Sequence, residues 1–370
     1  MSTIVVGGGI MGACTLVELA RAGEDALLLE AGTFADPRAA TARSGALVRT
    51  HYSNAEVVRM AVRSRAAYLE QPYYERCGWL FLVDEAGAEP ARRNREMQQR
   101  EGAISHEVDP ADFGVATEGV AYALYEPDSG FADPVAATRA FIDAARAEGA
   151  EAREASPVEA LEPGRGVRVG GRLLEADNVV LAAGAWSKKL AKAIGLDLPL
   201  EFPREQDVVF DTGGAPPPAH AISSQVDRVY MRPAGDGRFL AGRGYPKDYE
   251  LVDPERYDET VDDAFEADVR ARVQTRLPGL NGLQRVGGKV GLYEVTPDWH
   301  PILGPVDGYD GLFLATGGSG HCFKLGPAIG ELVAWPIIGR RATYADVASF
   351  SLARFAQGRE FASSYGGNRA

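Results

Sequence analysis

The sequence predicts a two-domain α/β protein. A parallel-sheet domain is assembled from separated pieces of chain, and an antiparallel-sheet domain is inserted between them. Three observations predict it. The chain opens on a branched apolar strand that runs into a glycine-rich turn. Two further buried strands, mid-chain and near the end, also stop in small residues. The stretches between them carry hairpin and helix signals of their own. At 370 residues the chain also exceeds what one core usually holds.

The opening strand, residues 3–6, leads into Gly7, Gly9 and Gly12, spaced as G-x-G-x-x-G, with Ile10 and Met11 between the last two. Gly7 permits the tight turn, and Gly9 lets a pyrophosphate approach the backbone. Gly12 lets the helix over residues 13–20 pack close to the strand with its first amides aimed at phosphate. A second strand, residues 26–29, ends in Glu30, followed by Ala31. That carboxylate stands roughly 20 residues past the glycines, where an acid binds the adenosine ribose. Strand, turn, helix, strand and acid in this order predict a bound dinucleotide.

Residues 55–71 read as a helix, 78–83 as a strand, and the charged stretch 84–106 as a helix of the second domain. Asp133 is the expected N-cap and Pro134 the first residue of a helix running to 148. Gly170-Gly171 joins strands 166–169 and 172–174 as a two-residue hairpin. The run 178–187 is a second buried strand that ends in small residues around Gly184 and Trp186, where a cofactor again comes close. Residues 198–287 form a separate sheet, with a hairpin through 235–237 and a charged helix over 265–276. The third glycine-ended strand, 311–318, precedes a helix over 327–335. The expected boundaries are 1–83, 130–199 and 286–370 for the dinucleotide domain, and 84–129 and 200–285 for the second.

A formal charge of −13 argues against nucleic acid or an anionic membrane as partner. No apolar run has the length of a membrane span. No basic leader precedes the first strand. Three scattered cysteines and five histidines without paired spacing suit neither a disulfide framework nor a metal site. A cytoplasmic, metal-free protein is expected.

The last glycine-ended strand carries Gly317-Gly318-Ser319-Gly320-His321-Cys322-Phe323-Lys324. This resembles the C-terminal flavin motif of the D-amino-acid oxidase superfamily, in its branch of monomeric sarcosine oxidase and glycine oxidase-like enzymes. Residues 292–298 and 178–186 resemble the same branch. Residues 45–52 resemble its loop against the flavin, so the likeness spans essentially the whole chain. It implies a glutathione-reductase-like Rossmann domain binding FAD and an inserted antiparallel-sheet substrate domain. It puts Gly318, Ser319, Gly320 and His321 beside the flavin, Arg43 and Ser44 against the isoalloxazine or the pyrophosphate through their backbone, and Val158 against the adenine.

Arg49 and Lys324 match the two cations that grip the substrate carboxylate. That pairing suits the chemistry, since a guanidinium binds a carboxylate bidentately and an ammonium adds a point charge. Tyr293 matches an active-site tyrosine. The resemblance also departs in two places. The flavin-tethering cysteine would fall at Gly291, so FAD is expected to be noncovalent. The oxygen-activating lysine would fall at Leu251, which leaves Lys247, four residues earlier, as its candidate if the loop bends differently. Cys322 stands where the motif has glycine and reads as a small buried filler. His51, His300, Trp186 and Trp299 read as packing groups rather than catalysts.

The implied substrate is a small carboxylate-bearing secondary or N-substituted amine, with O2 as electron acceptor. The alternatives are an FAD-dependent dehydrogenase of a 2-hydroxy acid and a flavoprotein without turnover.

Overall fold

The computed structural model describes residues 2–245 and 247–362. A six-stranded sheet runs in the order Ile302–Pro305, Leu312–Thr316, Asn178–Leu181, Ser2–Val6, Asp25–Leu29, Glu151–Arg153. All its pairs are parallel except the edge pair of Ile302–Pro305 with Leu312–Thr316. The three glycine-ended strands are therefore neighbours at its centre. Both faces of the sheet are covered, which is why these strands are apolar along their length.

Helix Ile10–Arg21 is buried between the sheet, helix Pro134–Ala147 and helix Gly326–Ile337. Two close approaches fix it there. A Cβ on Gly12 would lie 2.0 Å from the Gly7 carbonyl oxygen, and one on Gly330 would lie 2.4 Å from the Cys14 carbonyl oxygen. The second contact lets helix Gly326–Ile337 lie directly on helix Ile10–Arg21, which brings the C-terminal motif beside the N-terminal turn. Asp133 caps helix Pro134–Ala147 by accepting from the amides of Val135 and Ala136, as its sequence predicts.

The second sheet has nine strands. Its long strand Pro203–Asp211 pairs with Arg238–Arg243 on one side and Gln284–Leu292 on the other. Helix Asp263–Arg276 packs on it through Val269 and Val273. Trp79–Val83 is a strand of this sheet, not of the dinucleotide sheet to which the boundary at 83 would give it. Gln284–Leu292 likewise extends the second sheet past 285. Nor is the sheet purely antiparallel, because Ala221–Ser224 pairs in parallel with Trp79–Val83. All five residues of that strand are buried. Trp79, Phe81 and Val83 pack with Ala88 and Ala91 of helix Glu85–Arg100, and Leu80 and Leu82 pack with the sheet's main core. A strand covered on both faces shows no alternation, so its sequence does not say which sheet it joins.

Candidate active site

A cavity of about 800 Å³ is lined by both large sheets. One wall is the N-terminal turn, with Gly7, Gly9, Ile10 and Met11, continued by Glu30, Ala31, Val158, Gly184 and Trp186. Gly12 lies behind that wall, where it sets the approach of helix and strand. Glu30 accepts from the Gly8 amide at 2.7 Å and the Gly32 amide at 2.9 Å, so its carboxylate is fixed at the end of its strand. The Ile10 amide donates to the Thr41 hydroxyl at 3.2 Å.

Gly318, Ser319, Gly320 and His321 form the next part of the wall. The Ser319 amide donates to the Glu294 carbonyl at 2.9 Å, and its hydroxyl receives the Thr296 amide at 3.3 Å, so the turn is stitched to the segment behind Tyr293. Buried Glu294 takes the Thr316 hydroxyl, and burial raises its pKa despite that bond and those from the Gly317 and Gly318 amides. His321 Nε2 donates to the Trp299 carbonyl at 2.6 Å, and its Nδ1 lies 3.1 Å from the Tyr52 hydroxyl. Both ring nitrogens of His321 are thereby engaged, which suits a structural role.

The two cations share this cavity. Lys324 is buried and donates to the His321 carbonyl at 3.1 Å. Arg49 donates to the His51 carbonyl, with its guanidinium carbon 5.0 Å from the Tyr52 ring centroid and 5.2 Å from that of Trp79. Aromatic faces on two sides hold the guanidinium without neutralising it. Burial, with help from the Arg49 charge, pushes His51 down to about 3, so it stays neutral beside Arg49. Tyr293 also lines the cavity.

Arg43 and Ser44 line it too, but the Arg43 side chain points away. Its Nε donates to the Pro37 carbonyl at 2.7 Å, and its other nitrogens reach the Val290 carbonyl and Glu259.

Lys247 is elsewhere. It pairs with Glu205 and donates to the Arg243 carbonyl at 3.2 Å, and it lines a smaller neighbouring cavity. Leu251 is exposed. The lysine that the second sheet does bring to the main cavity is Lys289, which sequence offsets did not single out. Gly291 faces Arg43, and a Cβ there would lie 3.0 Å from the Arg43 Cβ. Cys322 is buried, its thiol pKa pushed far up by desolvation, as expected of a filler.

A glycine turn at a helix N-terminus, a fixed ribose-type acid and a second glycine turn beside it fit the pyrophosphate, ribose and flavin of FAD in one cavity. The fold and site thus define a two-domain, FAD-binding oxidoreductase. The family model "FAD dependent oxidoreductase" (DAO) matches residues 2–335, and the chain belongs to that family. It is 26% identical to monomeric sarcosine oxidase of Bacillus sp. strain NS-129, over 96% of this chain and 97% of that one. A glycine oxidase of Pseudomonas aeruginosa is 32% identical over 167 residues, 45% of this chain and 43% of that one. The crystal structure of L-proline dehydrogenase from P. horikoshii superposes with a TM-score of 0.87 at 27% identity, covering 96% of this chain and 98% of that one.

Two expectations about FAD follow. Because neither Gly291 nor buried Cys322 offers a reactive thiol, acid precipitation is expected to leave the yellow colour in the supernatant; a yellow pellet would show a covalent flavin. Glu30→Ala is expected to weaken FAD binding by about tenfold, in line with the loss of a charge-assisted bond to the ribose hydroxyls. Equilibrium titration of the apoprotein with FAD checks this, and an unchanged dissociation constant would remove Glu30 from the site.

Proposed function

We propose that the protein oxidises a small secondary or N-substituted amino acid to an imine, which water hydrolyses to an amine and a carbonyl compound. One observation carries the reading. Arg49 and Lys324, from opposite ends of the chain, line the same cavity as the dinucleotide turn. A buried ammonium and an aromatic-held guanidinium in one cavity suit an anionic substrate group. The carboxylate docked on them fixes the adjacent C–H bond, and such positioning lowers the barrier by removing orientational freedom before reaction. Tyr293 also lines the cavity, beside Gly320. Since His51 is held neutral and His321 is pinned by two hydrogen bonds, neither serves as general base, and the amine binds already deprotonated. FAD, when bound, supplies the acceptor for the hydride equivalent, and electrons passed on to O2 would leave as hydrogen peroxide.

The names of the relatives support an amine substrate next to a carboxylate: sarcosine, glycine and L-proline each have one. Electron transfer to a carrier rather than to O2 is the second reading. It is favoured by the likeness to L-proline dehydrogenase and by the place of Lys247, which lines the neighbouring cavity and not the main one. Stopped-flow reoxidation of the reduced enzyme by O2 and by a soluble quinone separates the two. Fast reaction with O2 and stoichiometric peroxide support the oxidase; slow reaction with O2 beside fast reaction with quinone supports the dehydrogenase.

A further inference from the structure

Between the strands Asp25–Leu29 and Leu47–Val48 the chain has no regular structure, yet the end of this stretch sets where Arg49 stands. Leu47 and Val48 pair with Phe131 and Gly130. Just before them, Ala46 has a φ of +51°, a left-handed backbone that a non-glycine residue keeps only where its surroundings over-determine it. The Ala46 carbonyl receives the Ala132 amide at 3.1 Å, and its amide donates to the Ser44 hydroxyl at 2.9 Å.

The two preceding carbonyls are held from the other domain's sheet. Lys289 Nζ donates to the Ser44 carbonyl at 2.5 Å, and Arg232 Nε donates to the Gly45 carbonyl at 2.6 Å. Arg232 also lies over the Phe131 ring, 4.2 Å from its centroid. It therefore grips the loop and the strand that pairs with Leu47. Arg232 is buried within the sheet, and Lys289 is partly buried against Asp207, the residue facing it in register on Pro203–Asp211. Asp207 in turn accepts from the Tyr230 hydroxyl. A Cβ on Gly45 would stand 3.9 Å from the Asp207 carboxylate and from Leu240, ordinary contact distances, so the loop rests directly on this cluster.

We propose that Lys289 and Arg232 are positioning residues for Arg49: two cations of the second sheet that clamp consecutive carbonyls of its loop and so set the carboxylate-binding guanidinium. The proposal rests on the assignment of Arg49 to the substrate carboxylate. A charge withdrawn from water is retained where it is paired and hydrogen-bonded, and here both cations have Asp207 as a nearby opposite charge and spend a donor on a loop carbonyl. Carboxylate binding is then coupled to the second sheet through the backbone of residues 44–46, although neither cation needs to touch the substrate.

The test uses the FAD-loaded enzyme and methoxyacetate, which has oxygen where sarcosine has nitrogen and cannot be oxidised to an imine. Its binding is read from the flavin absorbance. K289M/D207N removes one arm of the clamp together with the carboxylate that faces it, R232Q removes the other, and K289R keeps the donor. The first two variants are expected to weaken methoxyacetate binding by about tenfold. For whichever of sarcosine and L-proline reduces the flavin, they should raise KM similarly, with the limiting reduction rate within about twofold. K289R is expected to stay within about threefold of wild type. Should K289M/D207N fail to retain FAD, R232Q carries the same expectation alone. Unchanged methoxyacetate binding in R232Q, or a fall in the limiting rate with binding intact, overturns the clamp. Arg49→Ala, run in parallel, separates the two ideas. If it weakens binding and the clamp variants do not, only the clamp fails; if it changes nothing, the carboxylate assignment fails with it.

Discussion

Replacing Arg49 or Lys324 by alanine is expected to raise the substrate dissociation constant by about ten- to a hundredfold. The lost contact is a charge-assisted hydrogen bond worth about 1.5–3 kcal/mol. Each side chain is already held in place. Arg49 is fixed between the rings of Tyr52 and Trp79, and Lys324 by the His321 carbonyl. Little conformational entropy is then lost on binding, so most of the contact energy reaches affinity. An amine without the carboxylate, such as dimethylamine in place of sarcosine or pyrrolidine in place of L-proline, should be a poor reductant of the wild-type flavin and nearly indifferent to either substitution. Rapid-mixing measurements of flavin reduction against amine concentration check this. Wild-type behaviour in both variants would move the pocket elsewhere.

The second large effect is expected at Gly12. A Cβ there would meet the Gly7 carbonyl oxygen at 2.0 Å and Val5 Cγ1 at 3.4 Å, and the nearer contact is backbone, which cannot swing aside. Helix Ile10–Arg21 would have to withdraw from strand Ser2–Val6, taking its N-terminal amides away from the pyrophosphate position. Overpacking of this kind costs about 1–3 kcal/mol in a well-packed site, and here it falls on the turn that holds the cofactor. Gly12→Ala should purify with little flavin and fail to take up FAD at a concentration that saturates wild type. The flavin-to-protein absorbance ratio measures it. Gly279→Ala is the control, since a Cβ there meets nothing within 4 Å. Full FAD content in Gly12→Ala would show that the helix has room to spare.

What the sequence revealed was local or carried by motifs. The glycine turn, the Asp133 cap and the Gly170-Gly171 hairpin each depend on residues within a few positions of one another, and Glu30 on its place at the end of the next strand; the structure has the cap, the hairpin and a Glu30 carboxylate bonded to the Gly8 amide. Arg49 and Lys324 were found because each sits inside a segment that resembles a flavin motif. Lys289 has no such signal. Its place follows from its register opposite Asp207 and from a carbonyl 245 positions away in the chain, neither of which leaves a mark in the residues around it. Lys247 was found by counting from a motif across an irregular loop, where an offset of a few residues moves a side chain from one cavity to the next. Trp79–Val83 was misplaced for a different reason. Buried on both faces and joined in parallel to Ala221–Ser224, it has the apolar run of a dinucleotide-sheet strand.

The central claim is that this cavity oxidises amines carrying a carboxylate, and anaerobic titration of the purified yellow protein tests it most directly. Sarcosine, L-proline, dimethylamine and pyrrolidine would each be added without oxygen while the flavin absorbance is followed. The account predicts that at least one of the two amino acids bleaches the flavin and that its carboxylate-free counterpart at the same concentration leaves the spectrum nearly unchanged. Bleaching by the counterpart as readily as by the amino acid, or no bleaching by either amino acid, would contradict it.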